Sequence, residues 1–191
     1  MVSITNYRAV GDWFYILPAV ALLELIVIFL CKYPMDPTSR FVATLNKWYD
    51  TFGPVAVLAD IMSMSIGIAG PRYIFTALGF TGLFTFLALI VAFQLAHDII
   101  FYTAVLTPMP VGHNKIIDLL KIYGDENGFK VLLGDALMML GCVGFAYCLK
   151  SLPAHVTTTV ALVSVYALCY VIYTRDPTSL NTSLSKIAPT A

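Results

Sequence analysis

The sequence predicts an all-α integral membrane protein with five transmembrane helices, two interfacial amphipathic helices, and two tandem parallel repeats followed by one extra span. Three observations point there. Of 191 residues, 59% are hydrophobic and 12% charged, with a mean hydropathy of +0.84, against roughly a quarter charged in a soluble domain. The apolar residues gather into runs of about 20, the length that crosses a bilayer as helix. Polar residues inside those runs recur at an offset of 74 or 75 residues.

The first run, Trp13 to about Lys32, contains Pro18 and Glu24. It is too long for a signal-peptide core, and Pro34 and Asp36-Pro37 follow it instead of a small-x-small cleavage pattern, so it reads as an uncleaved anchor. The second opens at Gly53-Pro54, proline being tolerated in a first helical turn. It is expected to end near Arg72, just after Gly70-Pro71, with Asp60 inside. The third runs from about Gly82 to Leu106 and holds Gln94, His97 and Asp98. The fourth, Gly128 to Leu149, holds Asp135. The fifth, Ala154 to Tyr173, has no charge beyond His155. Residues 1–173 therefore form a transmembrane domain. Residues 174–191 form a tail rich in Ser, Thr, Pro and Asn, expected to be flexible unless bound.

Two connectors carry helical amphipathic patterns. In residues 40–52, Phe41, Val42, Leu45, Trp48, Tyr49 and Phe52 share one face, and Arg40, Lys47 and Asp50 the other. Residues 114–123 repeat the arrangement. Both read as helices lying in the headgroup plane, with Trp13, Trp48, Tyr49 and Tyr123 as interfacial anchors. Arg8, Arg72 and Lys150 fall on one side of the five spans. Lys32, Arg40, Lys47, Lys115, Lys121, Lys130, Arg175 and Lys186 fall on the other. This asymmetry predicts the N-terminus outside and the C-terminus in the cytosol. The sequon Asn181-Thr182-Ser183 would then stay unglycosylated.

A shift of 74 residues aligns Glu24 with Asp98, Pro34-Met35 with Pro108-Met109, and Leu45, Lys47 and Tyr49 with Leu119, Lys121 and Tyr123. After a one-residue insertion Gly53 meets Gly128, Asp60 meets Asp135 and Met64 meets Met139. Repeat one covers about residues 12–71 and repeat two about 86–146. Each holds two spans, so both have the same orientation. Span five, residues 154–173, stands outside.

Glu24, Asp60, Asp98 and Asp135 all fall roughly 10–15 Å from the cytosolic interface at helical rise, in a layer with Gln94 and His97. Intramembrane ionisable groups are costly and mark function by default. The layer reads either as interhelical hydrogen bonds that lock the bundle or as a proton or cation path. Gly67, Gly70, Gly79, Gly82, Gly141 and Gly144 read as close-packing positions, and Cys31, Cys142, Cys148 and Cys169 as buried thiols. His97 and Asp98, about 100° apart on a helix, make a poor ligand pair. No catalytic residue, metal site or cofactor is expected, because no Ser-His-Asp pattern, HExxH or phosphate loop is present. Eleven basic and eleven acidic residues give no basic field for nucleic acid.

The segments LNKWYDTFGPVAVLADIMSM, GPRYIF, QLAHDIIFY and PMPVGHNKIIDLLKIYGDENGFKVLLGDALMM span about residues 41–142. They resemble a multi-span virion membrane protein family of large nucleocytoplasmic DNA viruses, the group that includes algal viruses with a membrane beneath an icosahedral capsid. The ADxxSM and GDxLMM helices are the most distinctive parts. The resemblance implies a virion membrane protein that contacts the capsid shell. The leading expectation is a structural protein of the internal virion membrane or of a host-derived membrane, with the lipid bilayer, the capsid, other virion membrane proteins or a second copy of itself as candidate partners. The resemblance supplies no site residues. The alternative from another class is a small proton- or cation-linked transporter or channel using the carboxylate layer. The two differ in whether the acids face a water-filled cavity or pack between helices.

Overall fold

The computed structural model describes residues 3–34 and 39–174, without the Arg40 side chain. The tail residues 175–191, the Asn181 sequon and Met35 lie outside the described residues. After a 3-10 turn at Val10–Asp12, helix α1 spans Trp13–Lys32, α2 Arg40–Phe52, α3 Pro54–Ala77 and α4 Leu83–Phe101. A π-helical turn, Tyr102–Leu106, extends α4. Then come α5 Lys115–Asn127, α6 Phe129–Ser151 and α7 Ala154–Val171. Among the described residues no strand occurs. Five stretches are long and apolar enough to cross a membrane: Val10–Lys32, Pro54–Ala77, Leu83–Leu106, Phe129–Ser151 and Ala154–Val171. The chain is a multi-pass helical membrane protein.

Both connectors are helices with side-chain caps. Ser39 Oγ accepts from the Val42 amide, and Asn114 Oδ1 accepts from the amides of Ile116 and Ile117 at 2.9 and 3.4 Å. Such caps satisfy amides that have no partner within the helix. Both connectors end at a glycine in nearly the same conformation, φ 52° and ψ −127° at Gly53, φ 53° and ψ −131° at Gly128. A side chain there would be strained, so these residues permit the sharp turn from connector into span.

The second span runs past its expected end at Arg72 to Ala77. Pro71 lacks an amide, so the helix forfeits a single bond there. Leaving the helix at membrane depth would instead strand several backbone groups without partners. Continuation wins.

Helix α1 sits at the centre, packed by α6, α7 and α3, while α4 rests on α3 and α6. The core joins Ile16, Val20, Ile68, Ile90, Met139 and Val143. A second apolar cluster forms where α2 covers Ile28, Cys31 and Ala56 with Trp48 and Tyr49. Gly70 allows the close approach of Phe93, whose ring would lie 2.4 Å from an added Cβ, and Gly67 admits Met139 at 2.8 Å. Gly141 meets Leu23 at 3.1 Å. The close-packing expectation fails at Gly79 and Gly82, which form the α3–α4 turn with positive φ, and at Gly144, which faces open space. Cys31 and Cys142 are buried as expected, but Cys148 and Cys169 are exposed on the outer surface of the bundle.

Candidate functional site

The polar residues of the spans gather at two levels. At the connector end, Glu24 of α1 is fully buried, and both of its carboxylate oxygens lack a hydrogen-bond partner. It faces Asp60 of α3 and Tyr49 of α2. The Trp48 indole Nε1 donates to Asp60 Oδ2 at 3.0 Å. Trp48 and Tyr49 were expected as lipid-interface anchors. They are 7% and 1% exposed and turn inward over the two acids instead. The amphipathic face of α2 is thus spent on the protein, with Lys47 and Asp50 left exposed. Lys32 at the end of α1 forms an ion pair with Asp50 and so fastens α2 from its outer side.

Burial raises the Tyr49 phenol well above its usual value, and the charges of Glu24 and Asp60 push in the same direction. Tyr49 therefore stays a neutral phenol at any physiological pH. Tyr123 of α5 is raised too, by burial and then by Asp135. Its ring lies 5.8 Å from that of Phe41 on α2, and Thr44 Oγ1 donates to Glu126 Oε2 at 2.7 Å. The two connector helices are thereby joined to each other as well as to the acids beneath them.

Asp135 of α6 stands between two groups of acids, close enough to feel the charges of both Asp98 and Asp60. On α4, the Gln94 amide donates to Asp98 Oδ1 at 2.8 Å, and His97 Nδ1 lies 3.1 Å from the same oxygen. His97 and Asp98 thus touch despite their angular separation on the helix. They do not face inward together: the His97 side chain is 42% exposed, the Asp98 side chain 14%. The structure accordingly brings Glu24 and Asp60 together under Trp48 and Tyr49. Gln94, Asp98 and His97 form a separate group, with Asp135 between. A cleft of about 220 Å³ between α1, α3 and α7 is lined by Leu17, Pro18, Ala21, Ile61, Ala161 and Val165 and touches none of the acids.

The opposite end holds a cluster that sequence reasoning missed. Arg72 of α3 is completely buried. Its Nε donates to the Ile4 carbonyl at 2.6 Å, and Nη2 donates to Asn6 O at 2.7 Å, Ala9 O at 3.1 Å and Asp12 Oδ2 at 3.2 Å. The guanidinium also sits 5.5 Å from the centre of the Trp13 ring, which places this anchor over a cation rather than simply at a lipid interface. Lys150 of α6 pairs with the other Asp12 oxygen and donates to the Ser3 carbonyl at 2.5 Å. Residues 3–12 therefore fold back as a cap whose carbonyls and single carboxylate receive two cations, with Arg72 Nη1 left without a hydrogen bond. The available signal was a lone arginine in an apolar span, which demands a counter-charge at its own level.

Among the described residues, no group of three or more His, Cys, Asp or Glu side chains could hold a metal ion. No family model, no curated protein and no solved structure matches the chain.

Proposed function

We propose that this chain is a structural membrane protein of a virus particle. It sits in the internal virion membrane and offers its connector face, α2 with α5, to the capsid shell or to other virion membrane proteins. The observation that carries the reading is the use made of the acids: Asp60 holds the Trp48 indole, and Glu24 lies sealed beneath α2. Intramembrane polar groups used this way position helices. A conduit would place them along water. The paired α2 and α5 form a platform with Lys47 and Lys115 exposed. Its position at the lysine-rich end supports an orientation with that face cytosolic and the N-terminus outside.

A tandem duplication accounts for the platform. Gly53 and Gly128 share a rare backbone conformation. Each ends a 13-residue connector helix and opens a span with an aspartate seven residues on, Asp60 or Asp135. An ancestral unit of span, connector and span, used twice, would give a face with two similar helices.

Quantitative mass spectrometry of purified virions against infected-cell membranes tests the assignment. Enrichment in virions, with cross-links from Lys47 or Lys115 to shell proteins, is the expected result. Presence in cell membranes with absence from virions would refute it.

A further inference from the structure

We propose that Glu24 and Asp60 form a proton-binding site within the membrane, in which the two carboxyls share one exchangeable proton. This goes beyond the structural role proposed above and does not depend on it. Glu24 has no exposure, and neither of its oxygens has a hydrogen-bond partner. A buried ionised carboxylate without donors is among the costliest arrangements in a protein. Asp60 lies opposite it, already accepting the Trp48 indole proton on Oδ2. With one proton between them, one carboxyl donates and the other accepts, so an orphaned oxygen gains a partner and like charges no longer face each other.

The surroundings leave this as the consistent charge state. From α1, Cys31 faces the pair along with Glu24 itself; from α2, Tyr49. From α5 comes Tyr123, and from α6 come Asp135 and Cys142. On α7, His155 belongs to the first turn at the far end of the bundle, and Tyr166, Cys169 and Tyr170 toward its other end are exposed on the outer surface. Every titratable group named as facing the pair is a carboxyl, a phenol or a thiol, and none of these brings a positive charge. The nearest cation on α1, Lys32, is engaged with Asp50.

A hydrophobic carbodiimide tests the site, because it adds to a carboxyl that can deliver a proton to it in an apolar setting. Native membranes carrying the full chain are treated with dicyclohexylcarbodiimide at neutral and alkaline pH, and the modified residue is located by mass spectrometry. Modification at Glu24 or Asp60 that declines at alkaline pH is expected. Glu24→Gln should abolish labelling at both positions, since the amide donates to Asp60 and leaves it ionised. Asp60→Asn should leave Glu24 labelled, because Glu24, fully buried and without the indole donor that Asp60 has, is the costlier of the two to ionise. Infrared difference spectra of the same membranes read the protonated carboxyl without any need for reagent access, and its band should vanish in Glu24→Gln. Continued protection of Cys142 from maleimide confirms that each variant is folded. Neither label nor band in the folded wild type would overturn the proposal. So would labelling that sodium ions block at constant pH, because the pair would then hold a metal cation.

Discussion

Asp12 gives the sharpest test of the packing. Its carboxylate bridges Arg72 and Lys150, and the side chains of Arg72 and Asp12 are 0% and 6% exposed. In Asp12→Asn the shape persists while the negative charge goes. Two cations are then left facing a neutral amide, and Arg72 keeps the carbonyls of Ile4, Asn6 and Ala9 and the Trp13 ring. Breaking a buried pair by removing one partner costs about 3–5 kcal/mol. The three carbonyl acceptors remain, so the lower half of that range is expected. At about 2–4 °C per kcal/mol for a chain of this size, the melting temperature should fall by about 6–16 °C. The assay uses the protein's own thiols. In a Cys148→Ser, Cys169→Ser background the remaining thiols, Cys31 and Cys142, are buried, so a thiol-reactive dye reports unfolding in detergent. Lys150→Met, which removes the more exposed cation, should cost much less. A fall below about 2 °C for Asp12→Asn, against the range expected from a broken buried pair, would show that the cap is not held by charge.

Other consequences can be measured with the same protein. Asp60→Asn should accumulate and assemble nearly normally, whereas Asp60→Leu, which leaves the Trp48 indole unpaired, should lose about 0.6–2 kcal/mol in a thermal melt. Reconstituted wild type should show no proton or cation flux, and flux that disappears in Asp60→Asn would favour the transporter alternative. Gly53→Ala and Gly128→Ala should each cost about 1–3 kcal/mol and by similar amounts if the two connectors are duplicates; a large effect at one glycine with none at the other would argue against duplication. Gly70→Ala, set against the Phe93 ring, should cost about 1–3 kcal/mol by overpacking, while Gly144→Ala should be silent. Because folding raises the Tyr49 phenol, its contribution is complete below the unfolded tyrosine value near pH 10 and is lost as pH rises from there toward the folded value; alkaline melts should show this decline reduced in Tyr49→Phe.

The spans were legible because a bilayer imposes one demand, about 20 apolar residues, that shows in composition alone. Their ends were less so: Gly70-Pro71 looks like a stop, and only the cost of unpaired backbone at membrane depth carries α3 through it to Ala77. The amphipathic pattern of α2 located its apolar face but not what that face covers. Periodicity treats Trp48 and Tyr49 alike whether they meet lipid or protein. The acids Glu24 and Asp60 were found as members of a layer, and their pairing needed the crossing of α1 and α3 beneath α2. Hardest to see was the Arg72 cap, because nothing local to α3 points to carbonyls some sixty residues earlier.

The contact of α1 with α7 bears on how the protein is made. α1 leaves the ribosome well before α7, yet that later helix is one of its two most extensively packed neighbours. During synthesis the face that α7 covers must be sheltered by lipid or by the insertion machinery while five further helices, α2 to α6, are laid down. Arg72 has the opposite history, since the carbonyls and carboxylate that receive it have already emerged when it enters the bilayer. Biogenesis thus begins with a helix that waits for its neighbour and continues with an arginine whose neighbours are waiting for it. A ribosome stalled before α7 should hold α1 in a state still open to lateral capture by other membrane helices.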